Sequence, residues 1–202
     1  MLILKRILFT CLLLFPVLGW AKTEPLSLES LLMNINSLQA DFVQLTNQKT
    51  TSGKMALQRP GKFRWEIVSP NQQKIIADGR YIWIYDVDLE QVTKRKIDYQ
   101  QTGSPAMLLS GSMQALKKAF TISSIQSDDG MTAFKLIPRS KYAIMNWVKL
   151  YFAPDKTLSK MQIADNLGQL STIQFSNIKV NEQLDPTLFQ FTVPKNVDLL
   201  NG

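Results

Sequence analysis

The chain has 202 residues, with 23 basic and 16 acidic side chains, a formal charge of +7, one cysteine and no histidine. This composition offers no residues for a Ser-His-Asp or Cys-His catalytic centre or for an ordinary zinc site. Carboxylate-pair chemistry stays open, with Asp86/Asp88 and Asp128/Asp129 as candidates, but both pairs lie beside turn signals, where Asp is common for backbone reasons. We therefore predict turn residues there, no catalytic residue, no cofactor and no metal.

The N-terminus has the pattern of an export signal. Two basic residues precede an apolar run over Ile7–Leu18, and small residues stand at the two positions that a signal peptidase recognises before a cut after Ala21. The run is shorter than the roughly 20 apolar residues of a membrane-spanning helix. We predict a signal peptide over residues 1–21 and one exported domain over residues 22–202.

The charge that remains after this cleavage is modest. Removal of the predicted signal takes away one lysine, one arginine and no acid, so the formal charge falls from +7 to +5. The remaining chain contains no cysteine, and no disulfide can support the fold. Acidic partners or anionic lipid head groups would suit the positive charge, but simple solubility is the preferred explanation. No basic stripe with interleaved aromatic residues is present, and we predict no nucleic-acid partner.

The first predicted element is an amphipathic helix. Apolar residues recur at helical spacing from Leu28 to Leu38. Ser27 is a suitable N-cap, and Glu29 is favourable in the first turn because that end of a helix carries partial positive charge. We expect about three turns, after which the apolar period changes at Ala40 to that of strands.

A first series of strands follows. In Lys62–Val68 the alternation is clearest, with Phe63, Trp65 and Ile67 on one face. Asp78-Gly79 is typical of a two-residue hairpin turn. The predicted strands are Ala40–Thr46, Gly53–Gln58, Lys62–Val68, Gln73–Ala77, Tyr81–Tyr85 and Gln91–Ile97.

The middle of the chain changes to a helical pattern before the strands resume. Ser104 and Pro105 suit the N-cap and the first position of a short helix that runs to Leu109, and Ser112 suits the start of a second short helix. The later predictions are strands at Phe120–Ile125, Ala133–Ile137, Trp147–Phe152, Leu158–Ala164 and Leu170–Val180, a helical turn at Asp185-Pro186 and a last extended piece at Phe189–Val193.

Together these elements predict a mainly β protein with a few helices. Turns recur every 8 to 12 residues or so, about the spacing of a barrel or sandwich. We expect one long antiparallel meander. We also expect the helices to cover its concave side, because they must bury their apolar faces somewhere.

Two of the predicted strands are apolar on both faces. In Tyr81–Tyr85 three aromatic side chains alternate with two isoleucines, and Trp147–Phe152 is similar. Packing of helices or a second sheet explains this pattern, and so does an interior lined for an apolar ligand. The eight methionines would suit an adaptable lining, because the thioether side chain is flexible.

The segment Gly53–Trp65 resembles a family signature. It reads G-x-(apolar)-x-(apolar)-x-R-P-x-x-F-x-W, as in the periplasmic lipoprotein carriers of the LolA family. The resemblance continues in order along essentially the whole chain after the predicted signal. It includes the helix-to-strand junction Leu38–Gln44, Asp78-Gly79, Ile82–Tyr85, the short helix Ser104–Leu109 and Phe191–Pro194, which is similar to the family's last strand.

The resemblance implies a fold and a non-enzymatic role. The fold is an open, half-closed antiparallel β-barrel of about eleven strands, covered by a lid of short α-helices. The role is to accept outer-membrane lipoproteins from an inner-membrane lipoprotein-releasing ABC transporter and to deliver them to the outer-membrane receptor LolB. Because an acyl chain in water costs about 0.8 kcal/mol per exposed CH₂, the anchor must be shielded on the way. We expect a soluble periplasmic monomer without a stable membrane anchor.

The resemblance also assigns residues. It makes Arg59 a latch that holds the lid closed, since a guanidinium can donate to the free carbonyl groups at the end of a short helix. Without the resemblance, a solvated arginine at a strand end would be the simpler interpretation. The sequence does not identify which face of each strand is concave. The predicted lining of the acyl-chain cavity is Phe63, Trp65, Trp83, Met107, Leu108 and Trp147.

Two other functions fit parts of the sequence. One is a periplasmic sensor or adaptor with the same half-barrel fold that binds a lipoprotein or a lipid, and an additional domain would favour it. The other is a carboxylate enzyme, which would need a close acidic pair in a polar cleft rather than at a turn.

Overall fold

The computed structural model describes residues 26–97, 105–127 and 129–201, and for residues 105–107 it describes the backbone alone. The predicted signal peptide lies outside these residues, as do Ser104 and Asp128. Within the described part, no helix is both long enough and apolar enough to cross a membrane.

Three short α-helices accompany the strands. They are α1 (Leu28–Met33), α2 (Pro105–Ser110) and α3 (Met113–Ala119), and a 3-10 turn follows at Pro186–Phe189. Ser27 caps α1 as predicted, because its Oγ accepts a hydrogen bond from Ser30 N at 3.0 Å. The strands are β1 (Ser37–Thr46), β2 (Lys49–Gln58), β3 (Lys62–Ser69), β4 (Gln73–Asp78), β5 (Tyr81–Asp86), β6 (Gln91–Lys96), β7 (Phe120–Ile125), β8 (Thr132–Pro138), β9 (Met145–Phe152), β10 (Leu158–Asp165), β11 (Leu170–Val180) and β12 (Asp198–Asn201).

These twelve strands form one open sheet, in the order β12-β6-β5-β4-β3-β2-β1-β11-β10-β9-β8-β7. The predicted mainly β, open antiparallel fold with helices is confirmed. The expected single meander is instead two meanders, β1–β6 and β7–β11, which the pairing of β1 with β11 joins in the middle of the sheet. The chain therefore has to pass from β6 near one edge to β7 at the other, and α2 and α3 lie on this connection.

The first helix is shorter than predicted. It ends at Met33, and Leu38 belongs to β1. The side chain of Asn181 fixes this boundary: its Nδ2 donates to the Asn34 carbonyl at 2.7 Å, and its Oδ1 accepts a hydrogen bond from Asn36 N at 2.8 Å. These side-chain bonds serve backbone groups that a longer helix would have used.

The C-terminal part also differs from the prediction. No strand forms at Phe189–Val193, and the last strand is β12, which pairs in parallel with β6. The segment packs through its side chains instead of its backbone. Phe189 is 2% exposed, and the ring of Phe191 lies 5.5 Å from that of Trp83. Packing of these two rings against the sheet takes the place of the last strand that the family resemblance implied at Phe191–Pro194.

The two faces of the sheet differ in character. The inner face, defined here as the face on which α1–α3 pack, receives Phe63 and Trp65 from β3. Lys62, Arg64 and Glu66 of the same strand point to the outer face, because successive side chains in a strand alternate. The main core lies between the inner face and the helices, and it includes Leu28, Leu31, Leu32, Phe42, Met55, Leu108, Leu109, Leu116, Phe134, Leu150, Phe152, Met161 and Phe175.

Gly53 permits close packing on this face. A Cβ at this position would lie 1.9 Å from the carbonyl oxygen of Glu66 and 2.7 Å from Cζ of Phe42. The carbonyl belongs to the neighbouring strand β3, so it cannot move away without disturbing the β2–β3 pairing.

We expect Gly53→Ala to lower the free energy of unfolding by about 3 kcal/mol, because the added methyl overpacks the sheet. Denaturant unfolding measures the loss. Thr50→Ala, at an exposed position of the same strand, is the matched control and should change stability little. Equal losses in the two variants would contradict the packing argument.

Candidate functional site

The turn between β2 and β3 holds the C-terminal end of α2. Arg59 Nη2 donates to the Leu109 carbonyl at 2.6 Å, and Gly61 N donates to the Ser110 carbonyl at 3.0 Å. Carbonyl groups in the last turn of a helix have no partner within the helix, and a cation near that end is favoured by its partial negative charge. Arg59 thus makes the contact that its family resemblance implied, and Gly61 adds a second one that the sequence did not suggest.

The surroundings of Arg59 satisfy some of its hydrogen-bond donors and leave one without a partner. Arg59 N donates to the Asn36 carbonyl at 2.8 Å, which ties the turn to the start of β1. Within the described part of the chain, the buried Nε of Arg59 has no hydrogen-bond partner. Burial lowers the pKa of the Arg59 guanidinium from its usual value, although an arginine side chain keeps its charge at any physiological pH. A buried donor without a partner is unfavourable, so the closed arrangement is not fully satisfied.

Side chains of α2 occupy the inner face of the sheet. Leu108 and Leu109 are 4% and 2% exposed, and they belong to the same core as Phe63 and Trp65. The ring of Trp65 stacks on that of Phe42, with 3.9 Å between the centroids. The helix therefore closes over the predicted lining residues Phe63 and Trp65. Met107 lies in α2, but its side chain is outside the described structure.

The other two helices complete this cover. Leu116 of α3 and Leu32 of α1 are buried in the same core. Lys117 of α3 forms an ion pair with Glu29 of α1, which links the two helices at the surface. The lid thus consists of three short helices that share one apolar contact surface with the sheet.

Trp83 and Trp147 do not line this surface, and their prediction as lining residues is wrong. Strand register decides the matter, because directly paired residues share a face. Trp83 pairs with Ile76, while its neighbours Ile82 and Ile84 contact the main core. The ring of Trp83 packs on Phe191 on the outer face, and its Nε1 donates to Asp78 Oδ2 at 3.2 Å.

The same argument applies to β9. Val148 and Leu150 lie in the main core, so Trp147 and Lys149 point outward. The Nζ atom of Lys149 lies 4.8 Å from the Trp147 ring centroid, a cation–π contact at the outer face. Alternation in the sequence separated the two faces correctly but could not identify the inner one.

Two of the carboxylates considered for catalysis, Asp86 and Asp129, act at turns. Asp86 Oδ1 accepts a hydrogen bond from Leu89 N at 3.1 Å, and Asp129 Oδ1 accepts one from Met131 N at 3.4 Å. These bonds confirm the turn roles predicted for the two residues.

Sequence reasoning missed several members of the inner face. Phe42, Met55, Phe152 and Phe175 are buried in the same core as Trp65. One signal was available: Phe42 lies directly opposite Gly53, and a glycine within a strand often marks a close approach of another group.

The geometry defines a class of protein: an open half-barrel whose apolar face is covered by short helices, one of which is held through an arginine. The profile of the family described as outer membrane lipoprotein carrier protein LolA matches residues 33–192. The chain belongs to this family, as its sequence motifs indicated.

Relatives agree with this assignment, and a solved structure shares the fold. An outer-membrane lipoprotein carrier protein of Methylococcus capsulatus is 41% identical over 95% of this chain and 97% of that protein. One of Coxiella burnetii is 41% identical over 86% of this chain and 84% of that protein. The crystal structure of an uncharacterized conserved protein from Thermus thermophilus shares the fold, with a TM-score of 0.53 and 13% identity over 86% of this chain and 98% of that one.

We expect Arg59→Met to loosen α2 without unfolding the sheet. A hydrogen bond from a charged donor contributes about 1.5 to 3 kcal/mol, so the amides of α2 should exchange with solvent about tenfold faster or more. Native-state hydrogen exchange resolves this helix from the strands.

Arg64→Met is the matched control for this experiment. Arg64 pairs with Glu66 on the outer face at 2.8 Å and does not contact α2. Its loss should leave exchange in α2 unchanged. Equal exchange in wild-type protein and Arg59→Met would remove the basis for calling Arg59 a latch.

Proposed function

We propose that the protein is a periplasmic carrier that binds the acyl chains of outer-membrane lipoproteins between the inner face and the helices. One observation carries the proposal. A broad apolar face of the sheet is covered by three short helices, and α2 is held at its end by two hydrogen bonds. Such a cover can move away from an apolar face that then needs another apolar partner.

Membership in the LolA family supports the cargo and the route. The relatives carry the name outer-membrane lipoprotein carrier protein. In this proposal the signal peptide is removed after Ala21, and residues 22–202 form the carrier domain in the periplasm. The carrier receives lipoproteins from the inner-membrane lipoprotein-releasing ABC transporter and hands them to the outer-membrane receptor LolB. Binding and release make and break no covalent bond, so the carrier needs neither catalytic residues nor a cofactor.

Binding requires the lid to move. Phe63 and Trp65 are 0% and 2% exposed beneath α2, so an acyl chain cannot reach them while Leu108 and Leu109 occupy the inner face. The leucines of the lid therefore compete with the cargo for the same apolar contacts. The proposed lining keeps Phe63, Trp65, Met107 and Leu108, and it loses Trp83 and Trp147.

The contact between Arg59 and Leu109 sets part of the balance between the two states. This hydrogen bond exists in the closed state and must break when α2 leaves the sheet. The apparent affinity for the cargo is therefore the affinity of the open state multiplied by the fraction of carrier that is open. A carrier with a moderate affinity for its cargo can transfer that cargo to a receptor with a higher affinity.

The positions of Trp65, Trp83 and Trp147 allow a test of where the acyl chains bind. The variant Trp83→Phe/Trp147→Phe keeps Trp65 on the inner face, and Trp65→Phe keeps the two on the outer face. A synthetic triacylated lipopeptide with brominated acyl chains should quench most of the emission of Trp65 and little of the other two. The same lipopeptide without bromine is the control. Preferential quenching of Trp83 and Trp147 would place the cargo elsewhere.

We expect Arg59→Leu to bind the lipopeptide about tenfold more tightly, because the lost hydrogen bond had favoured the empty closed state. The same change should slow transfer to LolB in a reconstituted assay. Arg64→Leu should transfer like the wild type. Unchanged affinity and unchanged transfer in Arg59→Leu would rule out the latch.

A further inference from the structure

Two neighbouring loops at one end of the sheet expose apolar side chains to solvent. Tyr142 and Ile144 lie in the loop between β8 and β9 and are 87% and 54% exposed. Leu167, in the turn between β10 and β11, is 93% exposed. Tyr142 and Leu167 are the most exposed large apolar residues of the described chain. We call these three residues the apolar tip.

The two loops are fixed to each other, so this exposure is built into the fold. Asn166 donates from Nδ2 to the Ala143 carbonyl and from N to the Ile144 carbonyl. Asn146 Nδ2 donates to the Asp165 carbonyl at 2.9 Å. Ala143 and Met145 are buried beneath them. The loops are therefore held in a shape that projects the apolar tip instead of folding it back on the sheet.

The surroundings of the apolar tip are positively charged. Lys118 and Lys141 are exposed, and Arg139 lies at the end of α3, where its Nε donates to the Phe120 carbonyl at 3.2 Å. Lys117 beside them is paired with Glu29. Asp165, which directly precedes the turn of Leu167, accepts hydrogen bonds at Oδ1 from the backbone amides of Leu167 and Gln169, at 2.9 and 2.8 Å.

A second exposed leucine lies among negatively charged residues instead of positively charged ones. Leu89, in the turn between β5 and β6, is 71% exposed. Its neighbours are Asp86, Asp88 and Glu90. Exposure of an apolar side chain at a turn is thus common to both places, whereas the sign of the charge around it differs.

We propose that the apolar tip inserts into the interface of an anionic phospholipid bilayer. Apolar side chains that project from a surface and are flanked by lysine and arginine suit this environment: the apolar groups enter the acyl boundary while the cations meet the head groups. A protein partner would need a contact surface of about 800 Å² on each side, and three side chains on two loop tips provide much less. Three side chains also give weak, reversible binding, as a protein that visits a membrane briefly requires.

This membrane contact goes beyond acyl-chain carriage and does not use the inner face. The test uses protein purified from the periplasm of an expressing bacterium, with its N-terminus established by mass spectrometry. Flotation measures its binding to vesicles of phosphatidylethanolamine with phosphatidylglycerol and to vesicles of phosphatidylcholine alone. We expect binding to the anionic vesicles only, and we expect added salt to weaken it.

Substitutions locate the contact. The affinity of Tyr142→Ser/Leu167→Ser for the anionic vesicles should be lower than that of the wild type by a factor of about ten or more. Lys141→Glu should also bind more weakly, while Leu89→Ser should bind like the wild type. Because Cys11 is the only cysteine and lies in the predicted signal, a dye on Leu167→Cys can report the local polarity. Its emission should shift to the blue on anionic vesicles, and that of a dye on Leu89→Cys should not.

Three outcomes would overturn the proposal. The first is that the wild-type protein does not bind anionic vesicles. The second is that Leu89→Ser weakens vesicle binding as much as Tyr142→Ser/Leu167→Ser does. The third is that the protein binds a purified envelope protein through the tip but binds no vesicles, in which case the tip is a protein-docking surface. Quenching of Trp65 by the brominated lipopeptide should be unchanged in Tyr142→Ser/Leu167→Ser. This separates failure of the membrane contact from failure of the carrier function.

Discussion

The apolar inner face of an open sheet is the constraint on which the rest of this structure depends. A closed barrel or a sandwich buries such a face against more sheet, but here β12 and β7 end the sheet without meeting. Without further cover, water would contact Phe63, Trp65, Phe42 and their neighbours, and exposure of this apolar surface is unfavourable in free energy. The short helices supply the missing layer, and one of them, α2, accepts a hydrogen bond from Arg59 at its Leu109 carbonyl.

Local patterns predicted most of the fold. The alternation in Lys62–Ser69 and the turn residues Asp78-Gly79 act within a few residues, so the sequence carries their effects directly. The same holds for the cap at Ser27. Arg59 was found through a family motif. Its partner Leu109 is fifty residues away, and no periodicity connects the two.

The predictions that were wrong depended on contacts between distant segments. Leu38 continued a helical period, but Asn181, which is far along the chain, ends the helix and leaves Leu38 in β1. The outward direction of Trp83 and Trp147 follows from which face the helices cover, and a period of two treats both faces alike. The family resemblance implied a last strand at Phe191–Pro194, but this segment forms no strand and the ring of Phe191 packs on Trp83 at the outer face.

The place of α2 and α3 in the chain has a further consequence. They lie on the connection between β6, which is next to one edge of the sheet, and β7, which forms the other edge. These two helices of the lid are therefore tethered at both ends, and in the proposed function they act as an intramolecular ligand whose effective concentration is fixed by the length of the connections. In the proposed function, the empty carrier would close without a second molecule, at any protein concentration. A departing acyl chain would be displaced by a competitor that belongs to the same chain.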